Sequence, residues 1–287
     1  MSSVSTTAPN GARPVRRTWR LPITPLIGFG IVITYVSCAL FAPWLAPYGE
    51  YQVVSDVPFG PWNSQNLLGT DQLGRDFLSR LIYGARNSMG IAFATTVVAF
   101  LIGGFIGIAA AAIRGWFDQV ICRFVDSVMS IPDLVFTLML LAIFGSSVWN
   151  LVLIIAALDS TRVFRISRAA ALNVATLEFV EAAEARGEGV FWKVRHEILP
   201  NIMPILISEF GMRFCFVFLT IAALSFLGVG LQPPTAEWGS MVRDNAALIN
   251  SGDITPLIPA GAIALLTIGV NFVADWLLGK SSGAQDV

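Results

Sequence analysis

The chain has 287 residues, a formal net charge of −1, 55% hydrophobic residues and only 13% charged residues. Soluble domains carry about 25% charged residues, so this supply is too thin to cover a water-exposed surface. So apolar a chain is not a disordered one. With no overall basic field it is a poor nucleic-acid binder as well. What remains is an integral membrane protein built of helices.

In chain order, residues 1–20 hold Arg13, Arg16, Arg17 and Arg20 and no acid, and read as a disordered basic tail. A bilayer core needs about 20 apolar residues per helix, which places a first span within 21–49 and a second within 87–113. The first run is longer than a signal-peptide core and is expected to be an uncleaved anchor. The region from Gln119 onward must hold two helices. Gly145-Ser146-Ser147 is the turn-like break within it, giving a third span over 119–144 and a fourth over 148–167. A fifth runs over 201–227, with Glu209 and Arg213 inside it, and a sixth over 254–278. Cys38, Cys122 and Cys215 lie far apart without a CxxC pair and read as small buried hydrophobes.

Basic residues orient the spans. With the N-terminus inside, Arg75, Arg80, Arg86 and Arg243 fall outside and Arg213 falls within a span; the other thirteen of the 18 Lys and Arg fall inside. Both termini are therefore expected in the cytoplasm.

Two connections are long. The external one, about 48–88, ends in Asp76-Phe-Leu-Ser-Arg80-Leu-Ile-Tyr, with its apolar positions on one helical face. It reads as a short surface helix capped by Asp76, with Asp76 and Arg80 as an i,i+4 pair. The cytoplasmic one, about 168–201, contains LEFVEAAEARGEGVFWKVRHEILP over residues 177–200. That stretch predicts a short amphipathic helix, an interruption at Gly187, a second helical stretch over 190–199, and Pro200 at the entry to the fifth span. Its five acids argue against a pure lipid binder and favour a plug for a groove on another protein.

These residues resemble a known pattern. Glu181-Ala182-Ala183, three residues, Gly187, nine residues, then a last segment Glu197-Ile198-Leu199-Pro200 resemble the EAA motif of ABC-importer permeases. One position departs: the usual Ile two before the Leu is Glu197, with Ile198 beside it. Leu68-Gly-Thr-Asp71-Gln-Leu-Gly-Arg75-Asp76 and Ser225-Phe-Leu-Gly-Val-Gly-Leu-Gln-Pro-Pro-Thr-Ala-Glu-Trp-Gly239 are similar to stretches of the C-type permease subunits of dipeptide and oligopeptide importers. Nickel importers share much of the pattern, so a metal chelate stays open as cargo.

The resemblance implies an all-α, six-span, type I ABC-importer-like permease domain over 21–287 in the cell membrane. Its expected partners are a homologous B-type permease, two cytoplasmic ATPase subunits and an extracytoplasmic peptide-binding protein. The permease binds no cofactor, and ATP belongs to the ATPases. Glu181, Ala182, Ala183, Gly187, Leu199 and Pro200 are the expected ATPase-docking residues. Asp71, Arg75 and Asp76 mark the external motif. The chain has no GxxxxGK[ST] loop and no HExxH, and its one histidine, His196, reads as packed or solvated.

Charges inside the membrane are functional candidates. Glu209 and Arg213 can pair on one face, either along the translocation path or between helices. Asp133, after Pro132, and Asp159 could line the path or mark kinks. Asp126 is expected to pair with Arg123. Gly103 and Gly107 form a GxxxG suited to close helix packing. An ion-driven secondary transporter is the rival reading, although it leaves the docking loop unexplained and shows no repeated halves.

Overall fold

The computed structural model describes residues 23–282, so the tail over 1–20 lies outside the described residues. The described chain is helical, without a named strand. α1 (Ile23–Leu40) and the short α2 (Ala42–Leu45) lead into an irregular cap. α3 follows as a single helix, Phe77–Ile113. α4 (Gly115–Met129) and α5 (Asp133–Phe144) come next, then α6 (Val148–Ala175). The short α7 (Glu178–Ala185) and α8 (Val190–Lys193) precede α9 (Leu199–Phe226). α10 (Trp238–Asn245) and α11 (Leu257–Ser282) complete the order.

α1, α3, the continuous run Val190–Phe226 and α11 are each long and apolar enough to cross a membrane, and the bent pair α4–α5 can supply one further span. α6 has 28 residues, about 42 Å at 1.5 Å per residue, and so has the length of a span. Its apolar stretch is broken by Asp159, Arg162, Arg165 and Arg168. The helical membrane fold is as the sequence predicts, and α6 brings the count to six by length.

Three expectations need correction. The third span is not one helix, because α4 and α5 meet at 87°. Pro132 has no N–H to donate and disfavours helix at Ile131, so the chain turns there as well as at Gly145. The stretch after Asp76 is not a separate surface helix. Asp76 caps it, accepting from the Ser79 amide at 2.8 Å, but it continues unbroken into the second span as α3. Pro200 does not mark a boundary either. Leu199 donates to Val194, giving a π-turn over Val194–Ile198, and the helix runs through it from Val190 to Phe226. Pro200 offers no N–H, and the turn directly before it is where the ladder changes register.

α3 and α6 form the most extensive helix pair, and the expected GxxxG explains how. A Cβ on Gly103 would lie 2.2 Å from the Ser160 carbonyl oxygen, and one on Gly107 would lie 2.6 Å from that of Phe164. Only glycine permits this approach. The main core gathers Phe77, Leu151, Ile155, Phe218, Leu224, Trp238 and Leu266 from α3, α6, α9, α10 and α11.

Candidate functional site

Three groups of candidate residues separate in space. The first is the α7 loop. Val180 and Ala183 are buried against the body of the chain, while Glu181 and Ala182 on the opposite side of α7 are exposed. Ala183 therefore serves the close approach of α7 to its own chain and presents nothing outward. Gly187 has φ +82°, with open space where a Cβ would stand. Its amide donates to Glu184 at 2.8 Å, and the Glu188 amide donates to Ala183 at 3.1 Å. This is the bond pair of a Schellman cap; the glycine answers to backbone conformation rather than to crowding.

Lys193 bonds Glu184 at 3.0 Å and ties α8 back to α7. His196 stacks on Trp192 at 4.7 Å and carries no further constellation. Leu199 is half-buried beside a cluster of Ile108, Ala171, Ile198 and Ile202, whereas Pro200 is exposed. Sequence reasoning missed two exposed aromatics here, Phe179 and Phe191, the latter 77% exposed. For Phe179 the available signal was its place off the buried Val180 and Ala183 face of α7.

The second group is the cap over the start of α3. Asp71 and Arg75 pair at 2.7 Å, and Asp71 also takes Arg80 at 3.2 Å. Arg80 thus answers Asp71, not Asp76 as expected. Both arginines are buried and also donate to the Pro234 carbonyl oxygen. Glu50 accepts from Asn87 at 2.9 Å and from the Ala236 amide at 2.7 Å. Trp238 Nε1 donates to the Leu81 carbonyl oxygen at 2.9 Å. The two motif stretches around 68–86 and 225–239 therefore form one interlocked unit. Glu237, fully buried, caps α10 through the Ser240 amide, and burial pushes its carboxyl above the ordinary carboxylate value.

The third group is a set of charges between helices. Arg213 Nε donates to Glu209 at 2.7 Å and Arg213 Nη1 reaches Asp159 at 3.5 Å, so α9 is joined to α6. The guanidinium also lies over the Phe216 ring at 4.7 Å. Asp133 joins Arg162 instead. Asp126 pairs with Arg165 at 2.6 Å, not with Arg123 as expected, and Asp118 pairs with Arg168. These three pairs form a ladder down α6 that local sequence reading did not find. The arginines at i, i+3 and i+6 are its visible half.

The arrangement defines a class. It is a multi-pass membrane bundle with inter-helix charge pairs and a short helical loop packed on the bundle through Val180 and Ala183 and closed by a glycine cap. Among the described residues no group of three or more His, Cys, Asp or Glu is placed to hold a metal. Residues 103–281 match the family of binding-protein-dependent transport system inner membrane components, and the chain belongs to that family.

It is 34% identical over 256 residues to the di/tripeptide transport system permease protein DppC of Pseudomonas aeruginosa (strain UCBPP-PA14), covering 87% of this chain and 84% of that one. It is also 34% identical to the dipeptide transport system permease protein DppC of Escherichia coli (strain K12), over 88% and 86% of the two chains. A crystal structure of an amino acid ABC transporter with histidines has a similar fold, with a TM-score of 0.50 at 22% identity over 71% of this chain and 96% of that one. The chain is thus an inner-membrane transport permease that works in a complex with other subunits, and not itself an enzyme.

Proposed function

We propose that this chain is one of two membrane halves of an ATP-driven importer of di- or oligopeptides. Residues 21–287 form its permease domain and both termini lie in the cytoplasm. The other half is a homologous permease. Two ATPase subunits bind and hydrolyse ATP below, and an extracytoplasmic binding protein delivers peptide from outside. The peptide permeases among its relatives support peptide cargo over a metal chelate.

The observation that carries this reading is the α7 loop. Exposed Glu181 and Ala182, flanked by exposed Phe179, form a small-faced surface suited to a cleft on an ATPase. Gly187 sets its angle and Pro200 stands beyond it, where Leu199 is tucked into the chain. The loop leads directly into one helix running from Val190 to Phe226. Motion imposed on α7 by ATPase closure is thereby handed to a membrane span. An ion-driven transporter has no use for such a surface. Asp133, Asp159, Glu209 and Arg213 are assigned to the translocation path, and Asp71, Arg75 and Asp76 to the external cap that frames its mouth.

The test is affinity purification of the tagged chain from its native membrane, followed by dipeptide uptake in reconstituted vesicles. Recovery of a second permease and an ATPase, with ATP-dependent dipeptide uptake, is expected. Uptake driven by an ion gradient without ATP would overturn the reading.

A further inference from the structure

The network around Arg213 leaves one charge over. Between α5, α6 and α9 lies a cleft of about 50 Å³ whose lining includes Asp133, Thr137, Asp159, Arg162, Phe216 and Thr220. Arg162 is engaged by Asp133. Arg213 holds Glu209 at 2.7 Å and reaches Asp159 only at 3.5 Å. Three carboxylates thus face two guanidinium groups, and the surplus falls on Asp159. That side chain is 7% exposed, and its Oδ2 has no hydrogen-bond partner. A carboxylate oxygen withdrawn from water without a partner is costly and calls for a positive donor.

The hydroxyls of the cleft ask for the same thing. Thr137 Oγ1 donates to the Asp133 carbonyl oxygen and Thr220 Oγ1 to that of Phe216, each at 2.8 Å. Each has thereby committed its one proton and offers only lone pairs to the cleft. A void needs about 10–15 Å³ to hold one water-sized group, and this one is larger. Surplus negative charge, a free carboxylate oxygen and two lone-pair hydroxyls complement a primary ammonium, which has one positive charge and three N–H donors.

We propose that this cleft binds the α-ammonium group of the translocated peptide, with Asp159 as its counter-ion and Thr137 and Thr220 as further acceptors. This rests on the peptide-import reading above and adds to it a contact within the membrane. A proton on Asp159 would also balance the charge, but it would leave the cleft and both hydroxyls without a use.

The test uses the whole transporter in vesicles, with its ATPase and a saturating loaded binding protein, and L-alanyl-L-alanine as the probe. Peptide imported per ATP hydrolysed is measured for wild type, Asp159→Asn and Thr137→Val. A lost charge-assisted bond predicts about a tenfold drop for Asp159→Asn, and a lost neutral bond about a threefold drop for Thr137→Val. Assembly and ATP hydrolysis should be retained. Should Asp159→Asn not assemble, Thr137→Val decides, because it removes no member of an ion pair.

Import per ATP equal to wild type in the assembled variants overturns the proposal, as does a fall in hydrolysis in step with import in assembled Thr137→Val. An infrared band of a protonated carboxyl that vanishes in Asp159→Asn also overturns it, since a proton then meets the charge. A wild-type transporter that carries no dipeptide sinks the import reading itself, and the ammonium site falls with it. Dipeptide import that is the same in wild type and variants sinks the ammonium site alone.

Discussion

Ser88 of α3 donates from its hydroxyl to Glu237 Oε1 at 3.3 Å, across 149 residues of chain. The same hydroxyl accepts from the Trp238 amide at 3.2 Å. One small side chain thus locks the start of α10 onto α3, and the carboxyl it contacts is fully buried.

Because burial raises the Glu237 carboxyl above its ordinary value of 4.5, the folded state holds the proton more tightly than the unfolded chain. Stability contributed by the protonated form is complete below the unfolded value and is lost as pH rises through the folded one. Glu237→Gln should flatten that part of the profile, so that the difference in melting temperature between variant and wild type moves in the variant's favour as pH rises from about 4 to 8. Glu237→Ala should cost about 1 kcal/mol as a lost cap. Thermal unfolding in detergent across pH measures both.

Gly103 and Gly104 are neighbours with opposite surroundings. A Cβ on Gly103 meets backbone at 2.2 Å, whereas on Gly104 the nearest atom is 3.8 Å away. Gly103→Ala must push α3 from α6 and should cost about 1–3 kcal/mol. Gly104→Ala should be neutral or slightly stabilising. Equal unfolding midpoints in detergent for the two variants would remove the close-packing account.

In the α7 loop the prediction turns on backbone alone. Gly187 has φ +82° and Gly189 has φ −71°, and neither has an atom within 4 Å of a built Cβ. Gly187→Ala should cost about 1–2 kcal/mol, read as roughly tenfold faster hydrogen exchange in α7. Gly189→Ala should leave that exchange close to wild type.

The cap separates two aspartates that are alike in sequence. Asp71 is the carboxylate shared by buried Arg75 and Arg80, so Asp71→Asn strands two buried cations and should cost about 3–5 kcal/mol. Asp76 is a helix cap and Asp76→Ala should cost about 1 kcal/mol. Unfolding of the two variants side by side should keep that order.

The sequence made plain what is local. Apolar runs placed the spans, Asp76 announced the start of α3, and Glu209 found Arg213 four residues on. It missed what depends on a partner helix. Arg80 had Asp76 within reach along the chain, yet it turned to Asp71 across a loop. Arg123 and Asp126 stood close enough to pair, yet Asp126 met Arg165 on α6. Proximity in sequence wins only when no better-placed charge arrives by folding. Likewise Pro200 read as a helix boundary, and a π-turn just upstream absorbed it.

The coupling role of the α7 loop is tested most directly by ATP hydrolysis stimulated by loaded binding protein in the assembled complex, measured for Glu181→Lys and Gly187→Asp. Glu181 is exposed and touches nothing that the fold requires, and Gly187 holds only the turn after α7. Both variants should assemble with the second permease and the ATPase while losing most of the stimulated hydrolysis. Full stimulation in both assembled variants would contradict the docking of α7 on the ATPase.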